Sequence, residues 1–295
     1  MVSKTLIDGN KVKAAFLEET QRDIAQLKKK TGNVPGLAVI LVGDNPASQA
    51  YVGMKKKACE KIGIASFEFL LKEEDGPQAL HELIISLNDR DDIHGILLQL
   101  PLPEGYDESS FLSLISPRKD VDGFHPENVG KLLLGLETFQ SCTPLGICEL
   151  LKYYDLDPTG KHVVIVGRSN IVGKPLAAML MQKAPFRNAT VTVCHSQSKQ
   201  MDALCLKADI LIAAIGSPLF IRADMVKEGA IVIDVGINKV DDTDSARGYR
   251  LVGDVDFDAV SSKAAAITPV PGGVGPLTIA MLMRNTVLAF KRIQD

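Results

Sequence analysis

The sequence predicts an α/β protein built of two α/β domains, the second of them a Rossmann-like parallel sheet. Short apolar runs alternate with helical stretches along nearly all of the 295 residues, which is typical of α/β architecture. A chain of this length normally forms two domains, each with its own core. We expect residues 1–142 and 276–295 to form the first domain and residues 143–275 the second, with an active-site cleft between them.

The first half of the chain alternates predicted strands with predicted helices. The strands are expected at 37–42, 66–71 and 93–100, and the helices at 11–30, 49–63 and 78–89. A stretch rich in Pro, Gly and Asp at 116–130 interrupts this alternation.

The second half repeats the alternation more clearly. Its predicted strands are 161–167, 190–195, 208–216 and 230–236. Because these runs are short and rich in Val and Ile, we expect a parallel sheet that is buried on both faces. A linker near 141–144 and a helix to residue 154 join the halves, and the last helix, 277–293, is expected to return to the first domain.

Composition excludes several classes of protein. The chain has 46% hydrophobic and 23% charged residues and a net charge of −3, so it lacks the excess of basic residues that is typical of nucleic-acid-binding proteins. No stretch approaches the roughly 20 apolar residues that span a bilayer, and residues 1–5 resemble neither a signal nor a transit peptide. Five cysteines without a Cys-x-x-Cys pair predict reduced thiols and a cytoplasmic protein, and no Cys/His spacing predicts a metal.

Lys55 is the most informative residue, because it falls on the apolar face of a predicted helix. That face contains Tyr51, Val52, Lys55, Ala58, Cys59 and Ile62, with Met54 at its margin. A desolvated lysine has a lowered pKa and exchanges protons near neutral pH. A lysine that reaches solvent, or that pairs with a buried carboxylate, would show the same pattern.

Two further polar residues qualify as partners of Lys55. Gln99 ends an apolar run, where its amide needs hydrogen-bond partners; Lys55 would serve, and so would the backbone at a strand end. Asp120 and Asp122 lie two apart in a loop that lacks the later ligands of a calcium site, so we exclude metal. An aspartate there suits the amino-pyrimidine edge of a ligand, and an Asp-Gly turn is the competing interpretation.

A nucleotide-binding pattern opens the second half. The predicted strand at 162–166 runs into Gly167, Arg168 and Ser169 and then a helix start, which places a phosphate over a helix N-terminus. The next strand ends in His195 and Ser196 without an acidic residue, and Arg168 supplies positive charge, so NADP is favoured over NAD. A plain packing turn and a solvent-facing histidine are the alternatives.

Glycines mark three further segments. Gly216 and Gly236 follow the next two strands, either to let the backbone approach the nicotinamide ribose or as ordinary turn glycines. The loop 268–278 combines stiff prolines with permissive glycines, which suits close ligand approach or a structural hinge. We also expect the helix-opening amides of Leu277 and Thr278 to serve as donors. The sequence around Asp254 predicts only a turn.

Together these segments resemble the bifunctional methylenetetrahydrofolate dehydrogenase/methenyltetrahydrofolate cyclohydrolase family. The matching segments are 51–57 (YVGMKKK), 99–103 (QLPLP), 119–123 (KDVDG), 142–144 (CTP), 167–169 (GRS) with 172–173 (VG), and 268–278 (TPVPGGVGPLT). They occur in family order and span nearly the whole chain. Ser198 stands where many relatives have Thr, and the stretch 183–188 looks inserted; both departures concern the coenzyme preference, because some relatives use NAD.

The resemblance implies NADP-dependent oxidation of methylenetetrahydrofolate, hydrolysis of the methenyl product to formyltetrahydrofolate, and a homodimer. It implies Lys55, Gln99, Tyr51 and Asp122 as catalytic residues. The implied substrate-binding residues are Tyr51, Val52, Gly53, Met54, Lys55, Leu98, Gln99, Leu100, Asp122, Pro271, Gly272, Gly273, Val274, Gly275, Pro276, Leu277, Thr278 and Ile279. The implied cofactor-binding residues are Thr143, Gly167, Arg168, Ser169, Ile171, Val172, His195, Ser196, Gly216 and Ile237.

Two other classes of protein remain as alternatives. One is a different two-domain NAD(P) dehydrogenase, such as one acting on a hydroxy acid, which would not need Lys55. The other is a silent dinucleotide-binding protein, against which the set of Lys55, Gln99 and Asp122 argues.

Overall fold

The protein is a mixed α/β structure in the computed structural model, which describes residues 5–243, 245 and 248–294. Residues 1–4 and 295, which fall in the predicted first domain, lie outside the described residues. The strands are β1 (Thr5–Leu6), β2 (Gly36–Val42), β3 (Ala65–Leu71), β4 (Gly95–Leu98), β5 (His162–Val166), β6 (Thr190–Cys194), β7 (Ile210–Ala213), β8 (Ile231–Asp234), β9 (Asn238–Asp241), β10 (Tyr249–Val252) and β11 (Ala266–Ile267). The helices are α1 (Gly9–Thr31), α2 (Pro46–Ile62), α3 (Gly76–Asn88), α4 (Glu108–Leu114), α5 (Pro126–Leu133), α6 (Cys142–Tyr153), α7 (Gly173–Leu180), α8 (Met201–Cys205), α9 (Phe257–Ser261) and α10 (Gly275–Gln294).

The chain divides into two compact units. The first unit comprises residues from Ala14 to Cys142 and the described residues from Ile279 onward, and the second comprises the described residues up to Lys13 and those from Thr143 to Thr278. We had expected the residues before 14 in the first domain. They group with the second unit because β1 pairs in parallel with β11.

The first unit contains a parallel three-stranded sheet in the order β3-β2-β4. All seven residues of the central strand β2 are buried, as its uninterrupted apolar sequence requires. Helices α2 and α3 connect the strands, and α3 buries Leu80, Ile84 and Leu87 at helical spacing. The sheet therefore presents the carboxyl ends of β2 and β4 side by side.

The second unit contains a parallel six-stranded sheet in the order β1-β11-β8-β7-β5-β6, which confirms the predicted fold class. Strands β7 and β8 are fully buried and β5 nearly so, whereas the edge strand β6 is only partly buried. The central strands thus match the expectation of a sheet covered on both faces. An antiparallel pair, β9 with β10, lies outside this sheet.

Several elements were not expected from the sequence. Helix α5 begins at Pro126, inside the stretch that interrupts the alternation, because His125 accepts a hydrogen bond from the Glu127 amide as its N-cap. Helix α10 begins at Gly275, two residues earlier than predicted, and its residues from Ile279 onward group with the first unit. No helix among the described residues is long and apolar enough to cross a membrane.

Candidate active site

Helix α2 places Lys55 inside the first unit. Asn45 caps the helix, accepting hydrogen bonds from the amides of Ala47 and Ser48, and Pro46 occupies its first position. The buried face consists of Ser48, Val52, Lys55, Ala58, Cys59 and Ile62, and the side chain of Lys55 is only 8% exposed. The prediction that Tyr51 lies on this face was wrong, because Tyr51 is 38% exposed. The first turn of the helix buries Ser48 instead.

The Lys55 amine is held by Gln99. Lys55 Nζ donates to Gln99 Oε1 at 2.9 Å, and Gln99 Nε2 donates to the Leu100 carbonyl at 2.6 Å. Because that carbonyl requires a donor, it fixes the orientation of the amide and leaves the oxygen facing the lysine. Gln99 therefore satisfies both expectations at once, a partner for Lys55 and an amide bonded to the backbone at a strand end.

Burial sets the proton affinity of this amine. Desolvation lowers the pKa of Lys55 below its ordinary value, although the nearby Asp122 carboxylate acts in the opposite direction. Burial raises the pKa of Asp122, again against the effect of its partner, the Lys55 charge. The pair is thus arranged to hold a proton less tightly on the amine than a solvated lysine does.

The loop after β4 divides two tasks between its two aspartates. Asp120 is buried and accepts hydrogen bonds from the amides of Phe124 and His125 and from Asn128 Nδ2, so its carboxylate holds the turn that leads into α5. Residue 120 also forms a parallel bridge with Ile96 of β4. Asp122 is left half-buried and interacts with Lys55.

Sequence reasoning missed two supports of Asp122. The buried Cys142 thiol donates to the Val121 carbonyl at 3.4 Å and interacts with the neighbouring Asp122 carboxylate, and burial keeps the pKa of this thiol well above its usual value. Asn285 of α10 donates from Nδ2 to the carbonyls of Val121 and Gln140 at 2.8 and 3.0 Å. Cys142 lies in the 142–144 segment that carries the family resemblance, but nothing there indicated its contact with Asp122, and nothing in the local sequence distinguishes Asn285 from the ordinary core.

The other predicted folate-binding positions of the first unit differ in exposure. Tyr51 and Met54 are exposed, Gly53 and Leu100 are half-buried, and Val52, Leu98 and Ile279 are buried. The exposed side chains are the ones available to a ligand.

In the second unit, the turn between β5 and α7 is closed by Ser169. Its Oγ accepts a hydrogen bond from the Val172 amide at 3.1 Å, so the residue that replaces the second glycine of the nucleotide pattern caps the turn. Gly167 has φ of 135°, and a Cβ there would lie 2.1 Å from the Ala214 carbonyl oxygen, so only glycine fits. Ile171 is exposed and Val172 half-buried.

The strand ends beside this turn carry the predicted coenzyme contacts. Gly167 N donates to the Cys194 carbonyl at 2.9 Å, which sets the segment after β5 next to the one after β6. There Arg168 and Ser196 are exposed, and within the described ranges Arg168 has no ion-pair partner. His195 is half-buried and accepts from the Gln197 amide at Nδ1, so it does not simply face solvent.

The segments after β7 and β8 are tied to Asp254. The amides of Ile215, Gly216 and Ser217 all donate to its carboxylate, although we had predicted only a turn for this residue. Gly216 has φ of 73°, with open space where a Cβ would be, and Ile237 is exposed. Sequence alone offered one signal, the Asp-Val-Asp string, and could not show which strand ends it meets.

The loop 268–278 lies wholly in the second unit. Thr268 is buried and its Oγ1 accepts from the Asp234 amide at 2.7 Å, while Thr278 Oγ1 lies 2.9 Å from Thr143 Oγ1. The Leu277 amide donates to the Val274 carbonyl, so it is not the free donor we expected. Pro271 is exposed, whereas Gly272, Gly275 and Pro276 are half-buried and Gly273 and Val274 buried.

Comparison with known proteins places this geometry in one family. Residues 7–122 match the model of the tetrahydrofolate dehydrogenase/cyclohydrolase catalytic domain, and residues 141–294 match that of the NAD(P)-binding domain of the same family. A bifunctional protein FolD from Pelodictyon phaeoclathratiforme is 53% identical over 98% of this chain and 99% of its own length. One from Oleidesulfovibrio alaskensis is 55% identical over 97% and 98%.

Solved structures agree with these sequence matches. The bifunctional enzyme FolD from Campylobacter jejuni is 51% identical, with a TM-score of 0.92 over 98% of this chain and 99% of that one. The Trypanosoma brucei methylenetetrahydrofolate dehydrogenase-cyclohydrolase, solved with NADP and an inhibitor, is 40% identical, with a TM-score of 0.93 over 99% of both chains.

The lowered pKa of Lys55 predicts a pH-dependent stability. Between the folded-state pKa and the ordinary value of 10.5, the unfolded chain binds the Lys55 proton and the folded protein does not. The free energy of unfolding of the wild type, measured relative to Lys55→Met, should therefore rise with pH over that window. Urea titrations at several pH values above 7 measure it.

The matched control is Lys57→Met, which removes an exposed lysine from the same helix. The difference in free energy of unfolding between the wild type and Lys57→Met should change less with pH than the difference between the wild type and Lys55→Met. Parallel pH profiles for the wild type and Lys55→Met would contradict the lowered pKa.

Proposed function

The chain belongs to the tetrahydrofolate dehydrogenase/cyclohydrolase family, and on that premise we propose which of its residues carry each of two reactions. The protein is a bifunctional enzyme of one-carbon folate interconversion. It oxidises 5,10-methylenetetrahydrofolate to the methenyl cation with NADP⁺ and hydrolyses that cation to 10-formyltetrahydrofolate. In the first step a hydride leaves the methylene carbon. In the second, water adds to the cationic carbon, a proton is released and the ring opens.

Lys55 is assigned as the proton acceptor of the hydrolysis. The observation that carries the assignment is its buried amine, with a lowered pKa and a 2.9 Å hydrogen bond to Gln99 Oε1. A neutral amine that donates one N–H to Gln99 keeps a lone pair for the proton of the attacking water. Gln99 aims that lone pair, and Asp122 tunes the proton affinity of the amine.

The remaining folate contacts follow from chemistry and exposure. Tyr51 is exposed on the same helix as Lys55, so its ring is assigned to stack on the aminobenzoyl group of the substrate. Asp122 is assigned to the pterin, whose amino group and ring N–H are donors that a carboxylate accepts. The other proposed substrate contacts are Val52, Gly53, Met54, Leu98, Leu100 and the residues Pro271, Gly272, Gly273, Val274, Gly275, Pro276, Leu277, Thr278 and Ile279.

The second unit is assigned to NADP, and its residues fit that coenzyme. Residues 195–198, directly after β6, include no acidic residue, and the exposed guanidinium of Arg168 on the adjacent strand end is available to a 2′-phosphate. When bound, the coenzyme supplies the hydride acceptor, and the protein needs no acid or base for that step, only alignment. The proposed contacts are Thr143, Gly167, Arg168, Ser169, Ile171, Val172, His195, Ser196, Gly216 and Ile237.

We also assign the folate chemistry to the first unit, close to the predicted domain 1–142 and 276–295, and the coenzyme to the second, close to the predicted 143–275. The match of the catalytic-domain model to residues 7–122 and of the NAD(P)-binding model to residues 141–294 supports this division.

Lys55→Met should abolish the cyclohydrolase activity while the dehydrogenase activity falls less. Loss of the proton acceptor typically costs about 10²–10⁴-fold in rate, whereas hydride transfer requires no acceptor. Absorbance assays with methenyltetrahydrofolate, and with methylenetetrahydrofolate plus NADP⁺, measure the two activities separately.

Lys57→Met is the control, because it removes an exposed lysine from the same helix. It should leave both activities near the wild-type values. Equal loss of both activities in a folded Lys55→Met protein that still binds folate would refute the role of Lys55.

Arg168→Ala should weaken NADP⁺ far more than NAD⁺. Removing the only charge proposed to face the 2′-phosphate should raise the KM for NADP⁺ by about tenfold or more, since a charge-assisted hydrogen bond contributes roughly 1.5–3 kcal/mol. Arg222→Ala, which removes an exposed arginine paired with Asp224, is the control. An unchanged KM for NADP⁺ would show that the 2′-phosphate binds elsewhere.

A homodimer in a cytoplasm-like compartment completes the proposal. Symmetric dimers are the commonest oligomers of globular enzymes, and the odd number of cysteines argues for a reducing environment. Light scattering should give a mass near twice the 31.8 kDa of one chain. A mass of one chain at assay concentration would exclude the dimer.

A further inference from the structure

A pair of buried carboxylates lies at the carboxyl edge of the six-stranded sheet. Asp254 is fully buried and accepts from the amides of Ile215 and Gly216 through Oδ2, at 2.7 and 3.0 Å. Its Oδ1 accepts from the Ser217 amide at 3.0 Å and from Asn238 Nδ2 at 2.9 Å. One side chain thereby connects the segments that follow β7 and β8.

Asp234 holds Asp254 in turn. Its carboxylate accepts from the amides of Gly236, Asp254 and Val255 at 3.0, 2.9 and 2.9 Å, and its own amide donates to Thr268 Oγ1. Burial raises the pKa of Asp234 to about 6, even though these amide donors act in the opposite direction. The network therefore links the segments after β7, β8, β10 and β11.

Two glycines make these contacts sterically possible. A Cβ at Gly236 would lie 2.2 Å from Asp254 Oδ1, and a Cβ at Gly253 would lie 1.8 Å from Asp234 Oδ2. Asp254 thus occupies the space that a side chain at position 236 would fill, and Asp234 occupies the space that a side chain at position 253 would fill. A geometry that requires two glycines and two buried charges is specific, because each alternative residue would displace a carboxylate.

We propose that Asp254, held by Asp234, is a positioning residue for hydride transfer, because it fixes the backbone at the strand ends where the nicotinamide half of the coenzyme binds. The inference rests on the proposed function. In an open parallel sheet, ligands bind beyond the carboxyl ends of the strands. Ile215 and Ile237, 37% and 44% exposed, flank the anchored amides and present apolar surface there.

The chemistry explains why anchoring matters at these segments. Hydride transfer depends on the distance and angle between two rings, and a displacement of about 1 Å can reduce the rate about 10²-fold. Three consecutive amides bonded to one carboxylate cannot rotate independently. Lys55, Gln99 and Asp122 belong to the first unit, so the proton acceptor of the hydrolysis and its partners are not bonded to this anchor.

Asp254→Asn tests the proposal, because its amide nitrogen is a donor facing donors and cannot accept from all of the anchored amides. The kcat of hydride transfer should fall about tenfold or more, while the cyclohydrolase rate stays within about twofold. The control is Asp256→Asn, two residues away, whose carboxylate only caps α9 through the Ala259 amide; both activities should be retained.

A second readout needs no coenzyme. Hydrogen exchange at the amides of Ile215, Gly216 and Ser217 should accelerate about tenfold or more in Asp254→Asn and stay unchanged in Asp256→Asn. Unchanged hydride transfer, unchanged exchange, or equal loss of both activities in Asp254→Asn would overturn the proposal.

If Asp254→Asn does not fold, Asn238→Ala removes one donor and leaves the carboxylate in place. The dehydrogenase should then lose about two- to fivefold, with the cyclohydrolase unchanged, as expected for loss of one hydrogen bond of about 1 kcal/mol. No loss, or loss of both activities, would overturn the proposal. A wild type without methylenetetrahydrofolate oxidation would contradict the proposed function instead, and the exchange measurement still tests the anchor.

Discussion

The chemistry of the first unit depends on one hydrogen bond, from the buried amine of Lys55 to Gln99 Oε1. A lysine with its amine in water would keep its proton at neutral pH and could not act as an acceptor. Burial among apolar side chains lowers the pKa, but an amine without a partner would be costly to bury. Gln99 resolves this conflict, because a neutral amide oxygen satisfies the amine without stabilising its charge as strongly as a carboxylate would.

Asp122 supplies the opposing influence. Its carboxylate favours the charged form of Lys55, so the proton affinity of the amine reflects a balance between desolvation and attraction. Asp120 closes the turn with backbone and amide donors, which frees Asp122 from that task. Two aspartates separated by one residue therefore serve different purposes, and the local sequence gives no reason to assign one to each.

Much of this arrangement could be predicted because local periodicity carries it. Alternating Val/Ile runs and helices gave the two sheets, and Lys55 was identified because a charge interrupts an apolar stripe. Tyr51 was misplaced because aromatic residues at the edge of such a stripe fit either side of it. Asp254 could not be recognised, since its partners at 215–217 are 37–39 positions away in the chain and meet it only through the sheet. Pairing of a two-residue strand, such as β1 with β11, is equally invisible to local patterns.

The two reactions make different physical demands, and the residues of the two units differ accordingly. Proton transfer needs one group of adjusted affinity, which the first unit provides with a single buried lysine and neutral or opposing partners. Hydride transfer needs rigidity rather than acidity, and the second unit provides buried carboxylates whose lone pairs are bonded to backbone amides. Within the described part of the chain those carboxylates, unlike Asp122, hydrogen-bond to amides and not to a cation, so amide dipoles balance their charge. In the first unit the charges of Lys55 and Asp122 adjust the proton affinity of the amine, whereas in the second unit the buried carboxylates fix the backbone.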